Sequence, residues 1–232
     1  MLNLLGIIVA SYLIGAIPSA LIVGRVFKHI DIRKSGSGNL GSTNAFRTLG
    51  IPLGILVQAM DISKGLIAVL VVSNFFYHNL PFTNYTPFED LTILKIIAGL
   101  SAVLGHSFSL FVNFKGGKGI NTAVGMLISL APVDVGISIG LFVLTLLSSG
   151  YVSLGSIVAS FFFPVVMFTR ENIFGVDIYG YNTLIFFSIG VSLLLIYNHR
   201  ENIKRLLNGN ENRFDNLWLI RIFNIKAPFR KK

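Results

Sequence analysis

Cysteine is absent from the chain, and charge is scarce. With no Cys among 232 residues, disulfides and thiolate metal sites are excluded. Charged residues make up 12%, about half of what a soluble domain carries. No HExxH pair, EF-hand loop or metal-spaced carboxylate cluster occurs, and no Ser-His-Asp arrangement can be defended. No metal and no cofactor is therefore expected. There is no internal repeat, so the inverted-repeat architecture of many transporters has no support. Nor is there a low-complexity linker or a second soluble domain.

What remains is apolar. Hydrophobic residues reach 53%, and the mean hydropathy is +0.73. A helix needs about 20 apolar residues to cross a bilayer core, which leaves room for six to eight short spans. Apolar runs lie at 2–24, 53–77, 91–110, 120–132, 134–149, 151–169 and 181–198. Leu4 to Val23 is longer than a signal-peptide core and has no basic segment before it, so it reads as a retained span. Ala131-Pro132 reads as a tight turn between two short spans, and one bent span over 120–149 is the competing reading.

The expected fold is all-α: a polytopic membrane bundle of about seven helices. Sixteen of the nineteen Lys and Arg fall in the connections 25–52 and 111–119 and in the tail from 199. Glu89, Asp90, Glu171 and Asp177 lie in the opposite connections. The positive-inside rule then places the N-terminus outside and the C-terminus in the cytoplasm, which requires an odd number of spans. The net charge of +9 is thereby a membrane-surface property, and no nucleic-acid partner is expected. Residues 1–214 read as the transmembrane domain. Residues 215–232 read as a basic amphipathic tail at the membrane surface, with Trp218 at headgroup level. The oligomeric state stays open, a monomer being compatible.

Four polar segments carry the chemistry, and the topology gathers them on one face. In Ser35–Arg47, glycines 36, 38 and 41 permit positive φ, so backbone N–H groups can converge on an anion. Ser37, Asn39, Thr43 and Asn44 add short donors, and Arg47 adds a bidentate cationic fork suited to phosphate. The plainer alternative is a flexible loop with a helix N-cap at Ser42 or Thr43.

In Gly105–Gly119, the run Lys115-Gly116-Gly117-Lys118-Gly119 precedes an apolar helix, whose N-terminus suits an anion. It is not a P-loop, because Gly119 rather than Ser or Thr follows Lys118. Snorkelling to the interface explains Lys115 well and Lys118 poorly, since glycines flank Lys118 on both sides. In Tyr151–Ser156, the small residues are equally those of close helix packing. The topology makes Ser156 a candidate phosphate donor. In Asn198–Arg205, His199 and Asn202 are spaced i, i+3, while Arg200, Lys204 and Arg205 suit a helix C-terminus. Asp61 and Lys64, also i, i+3 and at membrane depth, read as a structural ion pair.

The strings SGSGNLGSTNAFR, FKGGKG, YVSLGS and HRENIKRLL, in this order and spacing, resemble the bacterial PlsY family. These are membrane acyltransferases that use acyl phosphate to acylate glycerol 3-phosphate. The resemblance runs from about residue 8 to residue 214. It implies seven spans, an active site on the cytoplasmic side of the bacterial inner membrane, and lysophosphatidic acid as a product that stays in the bilayer. It also implies that Ser37, Thr43, Asn44, Arg47, Lys118, Ser156, His199 and Asn202 line the phosphate and catalytic pocket; Asn39 and Gly117, from the same two segments, are further phosphate-binding candidates. Ser109 departs from the family, which commonly has proline there.

An acyl phosphate is a mixed anhydride with a good leaving group, so neither a nucleophilic side chain nor a metal is required. Holding two anionic heads together is the main task, and proximity alone can supply about 7–11 kcal/mol. Either His199 or a substrate phosphate oxygen could take the hydroxyl proton. The rival class is a transporter or channel for an organic anion.

Overall fold

The structure, a computed structural model, describes residues 2–77 and 86–213. The expected surface tail at 215–232 lies outside the described residues. No strand occurs among them. Two compact units divide the chain after Ala131.

The first unit holds α1 (Leu2–Ala16), α2 (Ser19–Lys28), α3 (Ser42–Leu49), α4 (Ile51–Ile67), α5 (Ser73–Tyr77), α6 (Asp90–Ser107) and α7 (Ile120–Leu130). A π-helical turn, Ala68–Val72, joins α4 to α5. The first apolar run is therefore two helices. Pro18 has no N–H and crowds the preceding turn, so α1 stops at Ala16. The carbonyls exposed by the break find side-chain donors. Ser109 Oγ donates to Ala16 O, and Lys64 Nζ donates to Ile17 O at 2.6 Å. The serine at the family's proline position thus has a structural use here.

Small residues set how closely these helices pack. A Cβ on Gly65 would come within 2.1 Å of Thr122 O, and one on Gly125 within 2.0 Å of Ile62 O. Backbone meets backbone where α4 crosses α7, as small residues allow between membrane helices. Beneath the first polar connection, Ala20, Val23, Ile32, Leu40, Ala45 and Val57 form one buried cluster. This cluster fastens the connection to α2 and α4.

The second unit holds α8 (Pro132–Ser149), α9 (Val152–Asn172), α10 (Tyr181–Asn198) and α11 (Arg200–Leu207). Proline opens α8, where its missing N–H has no intrahelical partner to lose. Asp134, in the first turn of α8, accepts from Arg170 near the end of α9 at 2.7 Å. That pair pins the ends of the two helices together.

Among the described residues, six stretches are long and apolar enough to cross a membrane: Asn3–Lys28, Ile51–Tyr77, Asp90–Val112, Pro132–Ser149, Val152–Asn172 and Tyr181–Asn198. The seventh apolar segment, α7, has only 11 residues. That is about 16 Å of helix, roughly half the hydrocarbon thickness. It packs on α4 and α6 within its unit. Lipid-facing side chains such as Phe75, Leu144, Phe186 and Leu193 are exposed, as expected of helices whose solvent is a bilayer. The chain is a multi-pass helical membrane protein.

Candidate active site

The first polar connection is shaped by the side chain of Asn44, which is buried. Its Oδ1 accepts from Ser37 N at 2.9 Å. Its Nδ2 donates to Ser35 O at 3.1 Å and to Asn39 O at 3.0 Å, with a longer contact to Ile32 O. One amide thus serves both sides of the loop. Gly36 makes the fold possible: its φ is +61°, and a Cβ there would lie 2.2 Å from Asn44 Oδ1. Gly41, by contrast, is extended, with φ −86°, and is itself the N-cap of α3. The expected caps, Ser42 and Thr43, are therefore the first two residues of the helix. Ser42 is free of capping because its Oγ accepts from Asn121 Nδ2 on α7 at 2.9 Å, which ties the first connection to the second.

On α3, Thr43 and Arg47 are spaced i, i+4 and share an exposed face. Asn39 Oδ1 accepts from Gly41 N at 2.8 Å and holds the entry to that helix. Neighbouring charges are neutralised elsewhere. Asp31 pairs with Arg33 at 2.6 Å and with Arg25 at 3.4 Å. Hydrogen bonding from Arg33 holds the Asp31 carboxyl well below the usual carboxylate range, against the raising effect of desolvation. Arg47 and Lys118 have no ion-pair partner among the described residues.

The second connection returns over α6. Gly116 N and Gly117 N donate to Ser107 O and His106 O, each at 3.1 Å. Gly119 then turns the chain, with φ +73°, into the N-terminus of α7.

These elements enclose a cavity of about 350 Å³, within the range of small-molecule sites. Ser37, Asn39, Thr43, Asn44, Arg47 and Lys118 all line it. The residues expected together from the first two segments are thus together. Gly117 lines a smaller adjoining pocket, with the His106 ring beneath it.

Sequence reasoning missed the floor. Asp61 and His106 line the same cavity. The expected Asp61–Lys64 ion pair is present at 2.7 Å, and His106 Nδ1 lies 3.6 Å from the same carboxylate oxygen. The available signal was the cost of placing ionisable groups at membrane depth, which marks them as functional as readily as structural.

The second unit holds the other expected residues. Ser156 Oγ donates back to Val152 O at 3.0 Å within α9. A Cβ on nearby Gly155 would come within 3.0 Å of Phe142 O, so this motif also serves packing. His199 is the cap residue between α10 and α11. Its Nδ1 sits 2.8 Å from Leu195 O. A carbonyl only accepts, so Nδ1 carries the hydrogen, and Nε2 is the acceptor of the neutral ring. Asn202 Nδ2 donates to Glu211 Oε1 at 2.9 Å, and Arg205 Nε donates to Glu211 Oε2 at 2.6 Å. Burial raises the Glu211 carboxyl, but hydrogen bonding, from Asn202 and Arg205 foremost, and the Arg205 charge together outweigh it and hold the group below its ordinary value. No group of three or more metal-ligating side chains occurs among the described residues.

Residues 5–209 match the family model for glycerol-3-phosphate acyltransferase. A glycerol-3-phosphate acyltransferase of Chlorobaculum tepidum is 46% identical over 92% of this chain and 97% of its own length. One from Chlorobium phaeobacteroides is 45% identical over the same shares. Among solved structures, the chain is similar to PlsY, an integral membrane glycerol 3-phosphate acyltransferase. The glycerol 3-phosphate form gives a TM-score of 0.64 and 35% identity, over 91% of this chain and 95% of that one. The lysophosphatidic acid form gives 0.65 and 34%, over 94% and 98%.

Proposed function

The chain belongs to the glycerol-3-phosphate acyltransferase family, and on that basis we propose how its residues divide the work. It is a membrane acyltransferase that acylates glycerol 3-phosphate to lysophosphatidic acid, an early step of phospholipid synthesis. The donor we assign is acyl phosphate, and the acceptor group is the sn-1 hydroxyl. The enzyme sits in the bacterial inner membrane with the basic side of the bundle, and the site, in the cytoplasm. We assign the catalytic work to residues 1–214.

One observation supports the substrate assignment above others: Arg47 and Lys118, neither ion-paired among the described residues, share one cavity with the hydroxyl and amide groups of the first connection. Two phosphate heads repel each other, and two cations offset that repulsion. Each charge-assisted contact contributes on the order of 1.5–3 kcal/mol. Ser37, Asn39 and Thr43 complete the anion-binding set, while the Asn44 amide and the Gly117 N–H, both engaged within their own connections, shape it. The roles given to Ser156 as phosphate donor, and to His199 and Asn202 as catalytic residues, rest on the resemblance of their motifs.

In the reaction, the sn-1 hydroxyl oxygen bonds to the acyl carbonyl carbon. The bond from that carbon to the phosphate oxygen breaks, and inorganic phosphate leaves. We assign the hydroxyl proton to a phosphate oxygen of bound substrate, with His199 and Asn202 orienting the groups, because an activated donor asks little of a base. His199→Gln with near-normal kcat excludes histidine as the base, whereas a collapse of kcat with KM unchanged restores it.

The deciding experiment is turnover of glycerol 3-phosphate by purified protein in detergent, with acyl phosphate, acyl-CoA and acyl carrier protein compared as donors. Turnover with acyl phosphate alone is the expected result. Activity only in sealed vesicles would instead indicate a carrier.

A further inference from the structure

The cavity has a cationic rim, Arg47 and Lys118, and an anionic floor, Asp61. Asp61 lies ten residues into α4 from Ile51, about 15 Å along the helix axis. It is 1% exposed. One carboxylate oxygen, Oδ1, is engaged by Lys64 Nζ at 2.7 Å, with His106 Nδ1 at 3.6 Å. The other, Oδ2, is buried and accepts from no group among the described residues. A buried carboxylate oxygen ordinarily has a donor.

The chemistry of that donor is constrained. A phosphate oxygen is repelled by a carboxylate, so the floor cannot receive the charged end of a substrate. A neutral hydroxyl can donate to it. Cations at the rim with an acceptor at the floor match a molecule that carries phosphate at one end and hydroxyls at the other. We propose that Asp61 is a specificity residue whose Oδ2 accepts a hydrogen bond from the C2 hydroxyl of glycerol 3-phosphate. This rests on the reading above that the sn-1 hydroxyl is the one acylated. The attacking hydroxyl must stay free to meet the acyl carbonyl, so the anchored hydroxyl is the one that does not react. Lys64 is then a positioning residue. It satisfies Oδ1, balances the charge and, through Ile17 O at 2.6 Å, ties the carboxylate to the break between α1 and α2.

The test compares glycerol 3-phosphate with 3-hydroxypropyl phosphate, which keeps the reacting primary hydroxyl and lacks the C2 hydroxyl. Calorimetric Kd and turnover KM are measured for both on the full chain in detergent. In the wild-type protein the analogue should bind about tenfold more weakly or worse, the usual consequence of removing a hydrogen bond to a charged acceptor. In Asp61→Asn the amide oxygen turns toward Lys64, and the NH2 takes the place of Oδ2. The charged acceptor is lost, the NH2 can offer the hydroxyl oxygen only a neutral hydrogen bond, and the ratio between the two ligands should shrink. If that variant fails to fold, Asp61→Leu combined with Lys64→Met removes both charges together and avoids a stranded ion. The same contraction of the ratio is expected there.

A wild-type protein that binds the two ligands equally overturns the proposal, as does an Asp61 variant that preserves the wild-type ratio. A merely structural Asp61 would weaken both ligands alike. Failure of the wild type to turn over glycerol 3-phosphate would instead count against the function proposed above, and the binding ratio would still decide the role of Asp61.

Discussion

His106 lies directly beneath Gly117: a methyl group added at Gly117 would come within 2.2 Å of His106 Nε2. The ring cannot easily yield, because the Asp61 carboxylate lies 3.6 Å from its Nδ1 on the other side. Gly117→Ala should therefore lift the loop that carries Lys118. Overpacking of this kind costs about 1–3 kcal/mol, so kcat/KM for glycerol 3-phosphate should fall about 5- to 150-fold, mostly through KM. Gly136→Ala is the control, since nothing lies within 4 Å of a Cβ there; its kinetics should match the wild type.

Asn44→Ala removes the hydrogen bonds that join the two sides of the first connection. At about 0.5–1.5 kcal/mol each, their loss should destabilise the loop by about 2–4 kcal/mol. Hydrogen exchange at Ser37 N should accelerate, and acyl transfer should collapse even though every cation remains. Unchanged exchange at Ser37 would mean that Asn44 does not organise the loop.

Arg47 and Lys118 should differ in how they tolerate replacement. Arg47→Lys keeps the charge but loses the planar fork, and Lys118→Ala loses the charge outright. Each should lower kcat/KM by about 10- to 100-fold. The residual activity of Lys118→Ala should also depend more weakly on ionic strength, because one charge fewer faces the anions; that of Arg47→Lys should keep the wild-type dependence. Intact turnover of acyl phosphate by Lys118→Ala would remove the clamp from the mechanism.

The turn that holds Asn202 should be insensitive to pH near neutrality. The Glu211 carboxyl is held below its ordinary value of 4.5 by Asn202 and Arg205, against burial. A lowered carboxyl stabilises the fold at pH values above its unfolded pKa, and that contribution disappears as pH falls through the folded value. Exchange protection over residues 199–211 should stay flat from about pH 5 to 9 and drop only in stronger acid. Glu211→Gln should flatten the acid limb.

The absence of cysteine supplies a clean background for topology. Lys34 and Thr86, both exposed, lie in successive connections of the first unit. With Cys at each position in turn, a membrane-impermeant maleimide should label Lys34→Cys only from the cytoplasmic side and Thr86→Cys only from the other. Labelling of both from one side would dismantle the orientation argued from charge.

Much of this protein was fixed locally. A helix in lipid must be apolar and must satisfy its own backbone, so hydropathy alone located seven apolar segments, and Pro132 marked the start of α8. Glycine and lysine at Lys115–Gly119 marked a candidate anion site because their chemistry is short-range, and the fold brings Lys118 and Gly119 to the cavity. Tertiary structure decided the rest. Asp61 and Lys64 advertise a pair by spacing, but only the return of α6 and the second connection places His106 and a cavity beside them. Asn44 looked like one donor among several, and only the closed loop shows its amide holding three other residues. Periodicity reports which face of a helix is apolar; it cannot report which distant loop will come to rest on a buried carboxylate, because that contact is made by residues 45 or more positions away.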